Sequence, residues 1–535
     1  MTPQRTNGGA PHVDVAVVGA GFAGLYMLYR LREMGFSVRV LEAGSGVGGT
    51  WFLNRYPGAR CDVESLEYSY QFSPELQQEW SWSERYAGQP ELLRYANHVA
   101  DRFDLRRDIA FDTRVTALTF DETGNRWRIE TNGAPLSAMH CVMATGCLSV
   151  PNKPKFKGQE TFAGPTYHTG TWPHEDIDFA GQRVGMIGTG SSAVQSIPII
   201  AQQAEHLTVF QRTPSYAVPA HNAPLDPHVE RAVKSDYAAF RALSKTRRNG
   251  LHCATSEISA LAVSDDERLR TYQAKWDNGG LCYTGSFMDL LLDKQANDTA
   301  AEFIRARIRE LVHDPAVAEL LCPQTVVGCK RLCIDTGFYE TFNRDNVTLI
   351  DVRHAPIEEI TPDGLIAGGK PYAFDSIIYA TGFDAMTGAL MAVDIRGIGG
   401  TRLRDRWAEG PRTYLGLSVA GFPNLFAITG PGSPSVLTNM LPTIEQHVEW
   451  IADCLAFLRA RGFDRIEATA EAEAAWVAHV NEIADRTLFP TCNSWYLGAN
   501  VPGKPRVFMP YVGFPPYVQK CNEVAAKGYE GFALS

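Results

Sequence analysis

Two glycine-rich turns, each set between an apolar strand and a helix, constrain this chain more than any other feature. The first runs from residues 13–18 into Gly19-Ala20-Gly21-Phe22-Ala23-Gly24, and the second from residues 183–187 into Gly188-Thr189-Gly190-Ser191-Ser192-Ala193. In that context the glycines permit a tight turn and close approach of backbone to a pyrophosphate, while the helix N-terminus supplies N–H donors and positive dipole. Alanine at the third glycine position, Ala193, lies within the pattern. The two units differ where the ribose is read. The strand at residues 37–41 ends at Glu42, whose carboxylate can accept hydrogen bonds from a ribose diol. The strand at residues 206–210 ends in Gln211-Arg212-Thr213, and Arg212 can pair with a 2′-phosphate. The first site suits FAD or NAD and the second NADPH, so electrons are expected to pass between two cofactors.

Length and composition agree with such a fold. A chain of 535 residues exceeds the usual size of one core, so two or three domains are expected. Hydrophobic and charged contents of 45% and 21% are those of an ordinary soluble globular protein. A net charge of −10 argues against nucleic-acid or anionic-membrane partners. Residues 1–12 are polar without an apolar signal core, and no apolar run is long enough to span a bilayer, which points to the cytoplasm. The 11 cysteines are scattered; Cys322, Cys329 and Cys333 cluster without a C-x-x-C or a histidine pair at zinc spacing. Free thiols in a reducing compartment, and no metal, are therefore expected.

The expected fold class is α/β, with two Rossmann-like dinucleotide-binding domains and a helical insertion in the second. Residues 1–155 read as the first part of the FAD-binding domain and 156–214 as the first part of the NADP-binding domain. Residues 215–328 carry the polar, helical periodicity of the insertion, 329–384 complete the NADP-binding domain, and 385–535 return to the FAD-binding domain. An apolar strand ending in Ala144-Thr145-Gly146 has a near copy ending in Ala380-Thr381-Gly382, one after each nucleotide unit. Neither G-x-S-x-G nor H-E-x-x-H is present to suggest a serine or zinc hydrolase.

Just before the second turn stands Phe162-Ala163-Gly164-Pro165-Thr166-Tyr167-His168-Thr169-Gly170-Thr171-Trp172-Pro173. Here the sequence resembles the type I Baeyer–Villiger monooxygenases, whose signature is F-x-G-x-x-x-H-x-x-x-W-P/D; Phe162, Gly164, His168, Trp172 and Pro173 fill every specified position. The resemblance covers nearly the whole chain and is strongest to the phenylacetone and steroid monooxygenase branch. Gly48-Gly49-Thr50-Trp51 and Arg55-Tyr56-Pro57-Gly58-Ala59-Arg60-Cys61-Asp62 look like the family's flavin-contacting loop, and Lys330-Arg331 like the segment with its active-site arginine. Asn493-Ser494-Trp495-Tyr496 is similar to its C-terminal segment.

The resemblance implies that NADPH reduces FAD, and that a peroxyflavin formed with dioxygen attacks a ketone, giving an ester or lactone through a tetrahedral (Criegee-type) adduct. Arg331 is then the permanent positive charge beside the peroxide, a role that lysine could lose on desolvation. Asp62, which by residue type alone reads as a turn-capping aspartate, becomes the carboxylate that orients it. Gly19, Gly21, Gly24, Glu42, Gly49, Thr50, Trp51, Asp62, Tyr68, Val115 and Met440 are assigned to FAD. Gly188, Thr189, Gly190, Ser191, Ser192, Arg212, Thr213, Lys330, Arg331 and Trp495 are assigned to NADP, and Ser435, Val436 and Leu437 to the substrate pocket. Trp495 and Met440 are equally compatible with core packing. His168 and Trp172 read as interdomain linkage rather than acid–base groups. The expected partners are a ketone and dioxygen, with no nucleic acid or membrane and a monomer compatible with the sequence; sulfides are expected as side substrates. Three other readings are an N- or S-oxygenating flavin monooxygenase, which Trp172 disfavours, a disulfide reductase, for which Cys61 and Cys147 are too isolated, and a non-catalytic NADPH sensor.

Overall fold

The computed structural model describes residues 11–535. The polar segment read as lacking a signal core therefore falls, for residues 1–10, outside the described residues. The first sheet is built around His12–Val18, which pairs in parallel with Val38–Leu41 on one side and Leu136–Met143 on the other. Val15, Ala16 and Val17 are fully buried, as a strand covered on both faces requires. Phe22–Glu33 covers one face and packs against the long helix Met440–Arg461. Two strands from beyond residue 385 join this sheet: Leu425–Ala427 pairs with Leu136–Met143, and Asp394–Arg396 with Val115–Asp121.

The second sheet has five strands, all parallel, in the order Val347–Asp351, His206–Gln211, Arg183–Ile187, Ser376–Tyr379, Thr166–His168. Between its halves in sequence lie the helices Pro227–Ser235, Tyr237–Thr246, Asp265–Asn278, Lys294–Leu311 and Pro315–Leu321. Lys294–Leu311 shows why that stretch is helical: Asp293 caps it by accepting from the N–H groups of Gln295 and Ala296, and Ala300, Phe303, Ile304 and Ile308 form one buried stripe.

The repeated Ala-Thr-Gly turns have a steric cause. Gly19 has φ +105°, and a Cβ there would lie 2.6 Å from the Ala144 carbonyl oxygen. Gly188 has φ +115°, and its Cβ would lie 2.4 Å from the Ala380 carbonyl oxygen. In each half the first glycine of the nucleotide turn presses on the strand end beside it, and only glycine allows that approach.

The chain passes between the sheets at residues 144–155 and again at 380–386, and the two passages are bonded together. Asn152 N–H donates to Gly382 O and Asp384 N–H to Val150 O, each at 2.8 Å. His168 sits on this joint. Its Nδ1 accepts from Gly170 N–H at 3.0 Å, so Nε2 carries the proton and faces Thr381 Oγ1 at 3.2 Å and Asn152 O at 3.4 Å. Burial pushes the imidazole down to about 4, which keeps it neutral. Trp172 is buried against Tyr167 and Phe179, Gly164 approaches Asp375 O too closely for a side chain, Phe162 packs on the second sheet, and Pro173 lines a separate surface groove.

The expectation of free cysteines throughout is corrected. Cys253–Cys282 and Cys329–Cys492 are disulfides with Cα–Cα distances of 5.3 and 5.8 Å, within the usual range for a bridge. Their partners lie 29 and 163 residues apart and are brought together by folding, so no local spacing signals them. Cys61, Cys141, Cys147, Cys322, Cys333, Cys454 and Cys521 are free and buried. No helix among the described residues is long and apolar enough to cross a membrane.

His447 ties the long helix to the loop before it. Nδ1 accepts from Thr429 N–H at 2.9 Å, Nε2 donates to Tyr517 Oη at 2.8 Å, and that hydroxyl donates to Leu415 O at 2.8 Å. Burial pushes His447 from 6.5 down to about 3. Folding thus excludes a proton that the unfolded chain binds, so this contribution to stability is complete above pH 6.5 and is lost as pH falls through about 3. His447→Gln should be less stable near neutrality but lose stability less steeply on acidification, as measured by urea unfolding across that range.

Candidate active site

A cavity of about 1620 Å³ opens at the carboxyl ends of the parallel strands of both sheets, where Val18, Leu41, Ile187, Phe210, Ala144 and Ala380 form part of its wall. That is where open α/β sheets bind ligands. Its volume exceeds the roughly 300–1,000 Å³ of a pocket for a single small ligand.

The first sheet contributes Gly19, Gly21, Glu42, Gly49, Thr50, Trp51, Asp62, Tyr68 and Val115 to the wall, and the start of the long helix adds Met440. Gly24 lies beneath, where a Cβ would fall 1.9 Å from Gly19 O; it shapes the turn rather than the cavity surface. Glu42 accepts from Ala20 N–H at 2.6 Å and Gly44 N–H at 2.7 Å, so its orientation is set. Each oxygen keeps a lone pair for a further donor. Trp51 Nε1 donates to Tyr68 Oη at 3.3 Å.

The second sheet contributes Gly188, Thr189, Gly190, Ser191, Ser192, Arg212 and Thr213, and the segment after the insertion adds Lys330 and Arg331. Thr189 Oγ1 donates to Thr213 O at 3.2 Å. A Cβ on Gly190 would meet nothing within 4 Å, so the mouth of this turn is open. Burial and then the nearby Arg212 charge hold the Lys330 ammonium below its usual range. Two cations converging at one wall fit an anionic group such as a phosphate. Trp495 completes this side from the C-terminal segment.

Arg331 joins the two halves. Nε and Nη2 bond the Asp62 carboxylate at 2.5 and 3.0 Å, and Nη1 donates to Val436 O at 2.9 Å and Thr438 O at 3.3 Å. Burial works against its charge, but the Asp62 carboxylate outweighs that and holds the guanidinium above its usual range. Of the three residues assigned to the substrate pocket, Val436 reaches the wall. Ser435, with φ +44°, is fully buried and donates to Cys147 Sγ at 3.5 Å, while Leu437 packs in the apolar cluster around Cys147.

The wall also includes Cys147, Phe383, Asn493, Asn500, Thr429 and Cys329, none of which was singled out as a site residue in the sequence. Cys147 and Phe383 directly follow the two Ala-Thr-Gly turns, so the repeat held a usable signal. Cys61 and Cys147 are both buried and unpaired. Two pyrophosphate cradles, a fixed ribose acceptor at one and a cluster of cations at the other fit FAD and NADP respectively.

The family profile described as pyridine nucleotide-disulphide oxidoreductase matches residues 16–264. A Baeyer-Villiger monooxygenase from Pseudooceanicola batsensis is 44% identical over 96% of this chain and 95% of its own. The chain belongs to the Baeyer–Villiger monooxygenase family. A solved structure described as oxidized steroid monooxygenase bound to NADP is 53% identical, with TM-score 0.94 over 98% of this chain and 99% of that one. A complex of OTEMO with FAD and NADP is 39% identical, with TM-score 0.95 over 98% of this chain and 100% of that one. These likenesses do not favour an N- or S-oxygenating enzyme, although a phenazine N-monooxygenase from Lysobacter antibioticus is 40% identical over 98% of this chain and 97% of its own.

Within a family member the Arg331–Asp62 pair should also carry structural weight. Asp62→Ala leaves a mostly buried guanidinium short of two acceptors and should cost about 1–3 kcal/mol in denaturant unfolding. The double variant Asp62→Leu, Arg331→Met should regain most of that loss, because an apolar pair has no unmet charge.

Proposed function

We propose that the protein is an NADPH- and dioxygen-dependent monooxygenase with FAD as its flavin, converting ketones to esters or lactones. The observation that carries this reading is the permanent positive charge of Arg331, oriented by Asp62 at the meeting point of two nucleotide cradles. In the overall reaction one oxygen atom enters between the carbonyl carbon and a substituent, and the other leaves as water while NADPH is oxidised. Bound FAD supplies the route by which NADPH electrons activate dioxygen.

The chain's own residues account for the rest. Glu42 accepts from the ribose of FAD, and Gly19 and Gly21 let backbone approach its pyrophosphate. Arg212 and Lys330 would hold the 2′-phosphate of NADPH, and Trp495 would lie on the same side of the cavity. Arg331 stabilises negative charge on oxygen in a cavity whose walls limit water, where a fixed charge acts most strongly. Asp62 positions that guanidinium by a two-point contact. His168 and Trp172 act as the joint between domains that divide at residues 155, 214, 328 and 384. A joint at one edge of the cleft suits the changes of position that hydride delivery and oxygen insertion both demand. Sulfides are side substrates in this reading, and the enzyme works in the cytoplasm.

The test is NADPH oxidation and oxygen uptake with a panel of aryl, cyclic and linear ketones, and mass spectrometry of products. Ketone-dependent turnover to a product heavier by one oxygen atom is expected; turnover only with amines would overturn the assignment. Arg331→Ala should lower product formation about 100-fold or more while flavin binding persists. Arg212→Ala should raise KM for NADPH about 10- to 100-fold with little change for NADH, because it removes a charge-assisted bond to the 2′-phosphate alone.

A further inference from the structure

The disulfide Cys329–Cys492 ties two segments on one side of the nucleotide cavity's wall together. Cys329 directly precedes Lys330 and Arg331, and Cys492 precedes Asn493 and Trp495; of these six, all but Cys492 line the cavity. From residue 488 to 507 the chain forms two short turns, Phe489–Thr491 and Trp495–Leu497, and no longer helix or strand. Its polar ties to the rest of the protein include those of Leu488, Asn500 and Lys504. Leu488 N–H donates to Leu291 O at 2.9 Å. Asn500 Nδ2 donates to Phe383 O at 2.8 Å, and Lys504 pairs with Asp384. In the middle, the bridge to Cys329 adds to the burial of Tyr496 and Leu497 in an apolar cluster with Cys147 and Val436, against which Trp495 packs.

We propose that Cys329 and Cys492 form a redox modification site that sets how tightly the cleft holds its nicotinamide nucleotide. The proposal rests on the reading of this cleft as the NADP site. In the oxidised form the bridge fixes residues 492–495 against Lys330-Arg331, so a nucleotide binds an already ordered wall. In the reduced form the nucleotide must also order that segment, and its affinity falls by the cost of doing so. Opening is thiol–disulfide exchange: one sulfur of a small dithiol attacks the bridge, its second sulfur resolves the mixed disulfide, and two electrons and two protons pass to the cysteines as the dithiol becomes a disulfide. Closing takes one hydrogen peroxide, which accepts two electrons and the two thiol protons and leaves as two waters. The second bridge, Cys253–Cys282, lies in the insertion with neither sulfur on the cavity wall, and provides an internal control.

The test compares full-length, flavin-loaded protein after mild peroxide treatment and after dithiothreitol, with bridges mapped by differential alkylation and NADP+ binding measured by calorimetry. The oxidised form should bind NADP+ about fivefold or more tightly, and by reciprocity NADP+ should protect Cys329–Cys492 from reduction by the same factor while leaving Cys253–Cys282 unprotected. Cys492→Ser should bind like reduced protein under both treatments, and Cys253→Ser should keep the wild-type difference. Free Cys329 and Cys492 after peroxide, or equal affinities in the two wild-type forms, would overturn the proposal without need of any variant. Absence of NADP+ binding in both forms, with the bridge present, would instead overturn the reading of the cleft and the tether's role with it.

Discussion

The rest of this architecture depends on the bonded crossing of two chain passages, residues 150–152 against 382–384. Each sheet could bury its own strands alone, but neither turn could face the other without a fixed relation between the sheets. Two backbone hydrogen bonds of 2.8 Å supply that relation, and His168 adds a neutral imidazole bridging Asn152 and Thr381. Neutrality matters, because a histidinium in this buried position would meet no carboxylate in compensation. This polar joint is accompanied by apolar packing between the halves, where Tyr56 and Ala59 meet Val194 and Ile197.

The ion pair of Arg331 with Asp62 is the second connection, and it shows how the fold assigns chemistry. Asp62 comes from a loop of the first half and Arg331 from the strand segment after the insertion, and the guanidinium's third contact goes to Val436 and Thr438 near the start of the long helix. A residue held by three separate elements is fixed in position without being buried among apolar groups. The cation is therefore available at a cavity wall while its cost of desolvation is offset locally.

Much of this was legible in the sequence, for a physical reason. A nucleotide turn is a local object: strand, glycines, helix and the residue ending the next strand lie within a few dozen positions, so Glu42 and Arg212 announce different riboses before any tertiary structure is known. The apolar strands and the capped helix Lys294–Leu311 are equally local, since periodicity and caps are properties of neighbouring residues. Which of several adjacent residues faces the cavity is not a local property, because contiguity is not shared direction. Ser435, Val436 and Leu437 are adjacent, yet one residue of the three faces the cavity, since Ser435 adopts a left-handed backbone conformation and turns toward Cys147.

The amino-acid sequence by itself determined the class of fold, the two cofactor types and the family, because each rests on short-range patterns of residue type. Tertiary structure decided how those pieces meet. It bonded His168 to partners 16 and 213 residues away, and it converted Cys329 and Cys492, 163 residues apart, into a bridge at the cavity wall. Such pairs depend on the packing of whole sheets, whose relative placement no local spacing encodes.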